Sequence, residues 1–392
     1  MKTRAIVNAH LFTPFREIKN AVIIIKNDKI ARVGEKSTVT IPKNCEKINA
    51  ENDIVAPGFI DIHVHGGGGY DTMDATLEAF QKIAETHIRG GTTLLLPSTV
   101  TAPIEEIEEV IKATREVMRQ AFLGSQILGL HLEGPYISRK QKGAHDEKYI
   151  KKPTREEIKM LLKNTDVVRR VTAAPEIKEN LQLGKILSEK GVIMSIGHTN
   201  GTIRDVVNAM EHGYTHVTHI YSGMTLTRRL NAYRVPGVVE ATFLFDELTT
   251  EIIADGKHLP PELIKLVLKN KGVNNVCIVT DAMRAAGLPP GKYKLGTIEA
   301  IVEDGVAWLP DWKAFAGSIT LMNQMIKILV ERVKIPLIDA LKMATVIPAK
   351  IMRIKNKGSV TVGKDADIVI LDKSNLKVRS VIIDGHYRFE YS

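Results

Sequence analysis

Residues 57–66 read PGFIDIHVHG, and the parsing of the whole chain turns on this stretch. Behind a Pro-Gly turn signal, the residues from Phe59 onward form a short apolar run of strand length, closed by His63 and His65. On a strand, positions i and i+2 share a face, so the two imidazoles can converge on one point. The run therefore ends in a chemical group rather than in a turn alone.

Seven further apolar runs follow. They are TTLLLPST (92–99), ILGLHLEGP (127–135), VRRVTAAPE (168–176), VIMSIGHT (192–199), HVTHIYSG (216–223), TEIIADGKH (250–258) and VCIVTDAM (276–283). Helix-like stretches such as TLEAFQKIAETHIRGG (76–91) lie between several of them. Alternating β and α units predict parallel strands, and eight units is the count of a closed (β/α)8 barrel. An open doubly wound sheet is the competing arrangement, because periodicity alone does not prove closure. Both chain ends read differently. TRAIVNAHLF and NAVIIIKNDKIARVG near the start, and DADIVILD and KVRSVIIDG near the end, are Val/Ile-rich runs broken by Asn-Asp and Gly turns. The expected organisation is an α/β chain: a small β-sandwich domain from residues 1–54 and 355–392, and a barrel over 55–354.

Polar residues recur where the strands end. Glu133 closes the third run, His198 the fifth, His219 the sixth and Asp281 the eighth. In a barrel these positions all lie at the C-terminal mouth, where barrel enzymes build their active sites. Four histidines and two carboxylates converging there suit zinc, iron, cobalt or manganese. A lone histidine at a strand end is more commonly a hydrogen-bonded rim residue; here six suitable residues occupy five of eight strand ends. His87, His212 and His216 fall outside this phase and read as structural, while His131, two residues before Glu133, reads as a second-layer candidate. A carboxylate such as Asp281 beside a metal-bound water can accept its proton and later return it to a leaving group.

The composition excludes other classes. The 392 residues carry 44% hydrophobic and 25% charged side chains, as in an ordinary globular protein. Cys45 and Cys277 are isolated, so neither a disulfide scaffold nor a thiolate zinc site is expected. The net charge of +9 is spread over helical stretches without aromatic interleaving, so no nucleic-acid partner is expected, whereas a small anionic substrate suits the field. No apolar run approaches a membrane span or a signal sequence, which points to a cytoplasmic protein.

PGFIDIHVHG, the aspartate at the eighth strand and GSVTVGKDADIVILD (358–372) together resemble the amidohydrolase superfamily. Within it, HLEGPYISRKQKGAHD (131–146), SIGHTN (195–200), VTHIYSGM (217–224), RVPGVVEA (234–241), IIADGKHL (252–259), TDAMRAAG (280–287) and FAGSITLM (315–322) resemble the N-acetylglucosamine-6-phosphate deacetylase family over nearly the whole chain. The resemblance implies metal-dependent hydrolysis of an N-acetyl group, giving acetate and glucosamine 6-phosphate by attack of a metal-bound hydroxide. It makes Glu133, His198 and His219 the principal ligands of a divalent metal. His63 and His65 match the form of the family with a second metal, Glu133 bridging and Asp281 completing that site; two ions per subunit are favoured over one. Asp281 would be the general base and acid, and His145 would hold or polarise the acetyl carbonyl. Ala144, Asp255 to His258 and Phe315, Ala316 and Gly317 match substrate-lining segments, and Arg234 and His258 match phosphate-binding positions. The family also implies a homodimer in which a phosphate-binding group comes from the partner subunit.

One segment departs from the pattern. Where the family usually shows Asn-Ala-Met after the last histidine, this chain has Ser222, Gly223 and Met224, followed by a basic stretch carrying Arg228 and Arg229 ahead of Arg234. Either arginine could replace the phosphate contact that serine shortens. The galactosamine epimer, or an unphosphorylated amide, is therefore an alternative substrate, and a catalytically silent barrel is the reading from another class.

Overall fold

Two hairpin turns at opposite ends of the chain show how the terminal sheet is built. In the computed structural model, which describes residues 3–120 and 122–390, strands Glu17–Lys26 and Lys29–Glu35 are joined through Asn27 and Asp28, with Lys26 paired to Lys29. Asn27 has φ 59°, the left-handed conformation that a two-residue hairpin needs and that asparagine tolerates. Far along the chain, Val378–Ile383 and His386–Glu390 are joined by another two-residue turn, in which both Asp384 (φ 50°) and Gly385 (φ 74°) are left-handed.

Both hairpins belong to one eight-stranded sheet. Ile54–Pro57 is its seam, pairing parallel with Thr3–Phe12 on one side and antiparallel with Ile368–Leu371 on the other. Glu46–Asn49 pairs with Thr3–Phe12 beside the main path. Ile6, Ile23, Ile25, Val55, Ile368 and Ile382 pack into one core drawn from both ends of the chain.

Beyond Pro57 the pattern changes to strands parallel to their neighbours. These are β1 (Phe59–Val64), β2 (Thr92–Pro97), β3 (Leu130–Glu133), β4 (Val168–Ala173), β5 (Ile193–Ile196), β6 (Tyr214–Val217), β7 (Thr249–Ile253) and β8 (Val276–Val279). β1 pairs with β2, and β3 to β8 form an ordered six-stranded run. Single parallel bridges, Ser98 to His131 and Val64 to Ala282, connect the two groups at both edges. All residues of β1, β2, β3, β5 and β8 are buried, which is why apolar residues dominate them on both faces. Helix α1 (Leu77–Ile88) shows the complementary pattern. Thr76 caps it by accepting from the Ala79 N–H, and Phe80, Ile83, Ala84, His87 and Ile88 form its buried stripe. The fold is mixed α/β, as the alternation implies.

An antiparallel meander follows β8, in Gly291–Leu295, Ile298–Glu303 and Val306–Trp308; the sequence reading does not separate it from the barrel. Its Leu295, Ala300 and Val302 pack with Val100 and Met283 beside the strand ends. Among the described residues, no helix is long and apolar enough to cross a membrane.

Candidate metal centre and active site

Glu133 is the last residue of β3, and its buried carboxylate stands between two groups of imidazoles. Its Oε2 lies 3.2 Å from His63 Nε2 and 3.1 Å from His65 Nε2. Its Oε1 lies 3.3 Å from His198 Nε2 and 3.0 Å from His219 Nε2. Asp281 completes the first group, its Oδ1 being 3.1 Å from His65 Nε2 and 3.4 Å from His63 Nε2. Six residues from five strand ends thus present their ligand atoms to one small volume.

Backbone and second-layer contacts hold them there. His198 (φ 44°), His219 (φ 22°) and Asp281 (φ 48°) lie just past β5, β6 and β8 in the left-handed region, a strain that persists where the surroundings fix it and that clusters at functional sites. His63 Nδ1 contacts Glu251 Oε1 at 2.8 Å, His65 Nδ1 the Ser98 carbonyl at 3.2 Å, and His198 Nδ1 the Gln141 carbonyl at 2.8 Å. Each Nδ1–H donates to an oxygen, so each Nε2, once free of its own proton, turns a lone pair inward. That is the tautomer of a metal-binding imidazole, and the donor set fits one or more divalent ions.

His145 is different. Its Nδ1 accepts from the Thr101 backbone N–H at 3.1 Å, so in the neutral ring the hydrogen sits on Nε2, 3.6 Å from Glu133 Oε2. Burial pushes its pKa down to about 4, so the ring is neutral at pH 7 and is a hydrogen-bond donor to the cleft.

The ionisable groups act on one another strongly. Burial alone would lower His65, but hydrogen bonds to Asp281 and Glu133 outweigh it and raise the pKa to about 9. Burial alone would raise Asp281, but the charge of His63 and the contact with His65 hold it at about 2, so it is ionised at neutral pH. A divalent ion must displace the histidine protons. Adding one to metal-free protein at pH 7 in weak buffer is expected to acidify the solution, and the affinity should climb as pH rises towards about 9, where His65 loses its proton unaided. Uptake without proton release would contradict this set of ligands.

The cleft above these groups is lined by Ala144, His145, Ser222, Gly223, His258, Phe315 and Gly317, among others. Gly223 has φ 58°, and a Cβ there would lie 2.7 Å from His198 Nδ1, so the glycine in place of the usual alanine is fitted to the position of this histidine. Of the expected residues, Asp255, Gly256, Lys257, Ala316 and Arg234 do not line it. Asp255 instead holds His258, its Oδ2 being 2.7 Å from His258 Nδ1, and the His258 ring lies 4.8 Å from that of Phe315. Ala316 is buried beneath its neighbours. Arg234 is exposed on a hairpin, paired in register with Arg229, while Arg228 reaches Asn200. His131 packs edge-on against His63 with ring centroids 4.6 Å apart, His87 and His212 make hydrogen bonds away from the ligand cluster, and His216 bonds Thr249 and, through Nε2, Glu251 behind the cluster. The sequence reading missed Glu251 and Arg170, two fully buried charges in β7 and β4. Their signal was a charged residue inside an apolar strand run.

Comparison with known proteins agrees with this geometry. The amidohydrolase family model matches residues 54–387. The chain is 34% identical over 380 residues to N-acetylglucosamine-6-phosphate deacetylase of Bacillus subtilis, covering 95% of this chain and 93% of that one. It is 33% identical over 347 residues to N-acetylgalactosamine-6-phosphate deacetylase of Escherichia coli O157:H7, covering 88% and 90%. The crystal structure of N-acetylglucosamine-6-phosphate deacetylase from Pasteurella multocida superposes with a TM-score of 0.92 at 32% identity, over 98% of this chain and 99% of that one. A histidine and carboxylate centre at the strand ends, and relatedness over nearly the full length, place the chain in the amidohydrolase family, in the branch of the N-acetylglucosamine-6-phosphate deacetylases.

Proposed function

We propose that the protein hydrolyses the acetamide of N-acetylglucosamine 6-phosphate, releasing acetate and glucosamine 6-phosphate. The observation that carries this reading is the Glu133 carboxylate held between the two imidazole groups, with Asp281 and the His145 Nε2–H beside it at the floor of the cleft. A divalent ion bound there supplies Lewis acidity and a water acidic enough to attack at neutral pH. Asp281, already ionised, takes the proton of the attacking water and returns it to the departing amine nitrogen. His145 donates from Nε2 to the acetyl oxygen as negative charge develops on it. His258, oriented by Asp255, faces the cleft from the side of Phe315 and is suited to the phosphate. Two ions per chain would match the division of the ligands, His63, His65 and Asp281 being able to hold one and His198 and His219 the other, with Glu133 contributing to both. The reading includes a closed (β/α)8 barrel, supported by the bridges at both edges of the parallel strands, and a terminal sheet folded over its own core as a sandwich. It also includes a homodimer, since Arg234 stands outside the cleft of its own chain and a second subunit can present it.

The galactosamine epimer is the second reading, favoured by Ser222 and Gly223 in the cleft wall. The test is acetate release by metal-loaded protein from N-acetylglucosamine 6-phosphate, its galactosamine epimer and unphosphorylated N-acetylglucosamine. The highest kcat/KM is expected for the first. Preference for the second moves the substrate, indifference to phosphate removes the phosphate site, and no acetate from any of the three rejects the activity.

A further inference from the structure

Below the ligand atoms, the carboxylate of Glu251 in β7 is fully buried and accepts four hydrogen bonds. Its Oε1 takes the His63 Nδ1–H at 2.8 Å and the backbone N–H of His219 at 3.1 Å. Its Oε2 takes an Arg170 Nη1–H at 2.7 Å and the His216 Nε2–H at 3.2 Å. Four is the full acceptor capacity of a carboxylate. Arg170 is itself fixed, by Ser195 Oγ at 2.9 Å, Thr218 Oγ1 at 2.9 Å and the Ile62 carbonyl at 3.1 Å. A polar layer spanning five strands therefore ends, at its upper side, on a single oxygen atom.

The geometry points to Glu251 as a positioning residue that couples the two halves of the metal centre, holding the imidazole of His63 in one half and the main chain of His219 in the other through Oε1. The assignment rests on the division of the ligands about Glu133 proposed above. For His63 the effect is direct: a carboxylate on Nδ1 fixes the ring and makes Nε2 a stronger donor to a metal. His219 is held in another way. Its Nδ1 has no hydrogen-bond partner although it is buried, so the ring lacks the contact that orients the other three ligand histidines. Its orientation passes instead through the backbone, whose left-handed turn is tied down by the bond from its N–H to Glu251. A glutamine at 251 has one oxygen only. Turned towards His63 and His219, it sets its NH2 against the Arg170 donor; turned away, it gives up both ligands.

Metal-free wild type, Glu251→Gln and the double variant Arg170→Met/Glu251→Leu, which removes the acceptor altogether, would be titrated with Co2+, following visible absorption and competition with a chelator. The double variant leaves no unpaired guanidinium in the interior. Wild type is expected to bind two ions per chain. Both equivalents should bind about 10- to 100-fold more weakly in a folded variant, with altered cobalt absorption. Weakening of one equivalent alone, or of neither, overturns the coupling. If neither variant folds, Glu251 is a requirement of the fold and the separable positioning role is rejected. A wild type that binds a single ion rejects the two-ion division, and with it the coupling. No substrate enters the experiment, so failure of the proposed deacetylation is read separately.

Discussion

Replacing Asp281 by alanine is expected to reduce kcat by about 1,000-fold or more while the protein stays folded, a loss of the size general acid–base catalysis supplies. The carboxylate lines the cleft, lies 3.1 Å from His65 Nε2 and is ionised at neutral pH, so it is placed to act as the base towards a water activated at the ligand cluster. Glu133, His198 and His219 do not depend on it for their mutual contacts. Metal analysis of the variant should therefore show retention in the half containing those three residues. The measurement pairs single-turnover acetate release with metal content and a thermal melt. A folded, metal-loaded Asp281→Ala protein with near-normal turnover would remove Asp281 from the proton transfers.

Glu133→Gln is expected to be more damaging to metal binding and about as damaging to turnover, again on the order of 1,000-fold or more, since the Lewis acid itself is lost. The two carboxylate oxygens serve different imidazole groups, so neutralising one residue weakens both. Glutamine is isosteric, which keeps the packing around β3. After dialysis against a chelator, the variant should retain far less metal per chain than wild type. Equal retention would show that Glu133 is a bystander to ligation.

The contrast between what the sequence discloses and what it hides follows the range of the interactions. His63 and His65 are legible because a period of two is local, and the strand-end histidines because each closes an apolar run. The hairpins at Asn27-Asp28 and Asp384-Gly385 are legible because a left-handed turn restricts the residue types at the turn itself. Arg170 and Glu251 are not legible as a pair. They lie on β4 and β7, and only closure of the strands brings Nη1 and Oε2 to 2.7 Å. Arg234 shows the opposite case: its motif marks it for phosphate, yet the hairpin carries it to an exposed position that no local pattern encodes. The meander after β8 is not legible as a separate unit, because its short strands pair with one another and sit inside the α/β alternation without a break in composition.

The seam strand Ile54–Pro57 has a consequence for how the polypeptide matures. Its outer edge is satisfied by Ile368–Leu371, which follows it by more than three hundred residues. While the chain is being made on the ribosome, the oldest sheet therefore keeps a bare edge until everything between has emerged, a long-range pairing that folds slowly and tempts neighbouring chains to pair in its place. Trimming the three closing strands would leave that edge open for good. The closed sheet thus marks a chain made at least as far as Leu371, because the edge of Ile54–Pro57 waits for that strand.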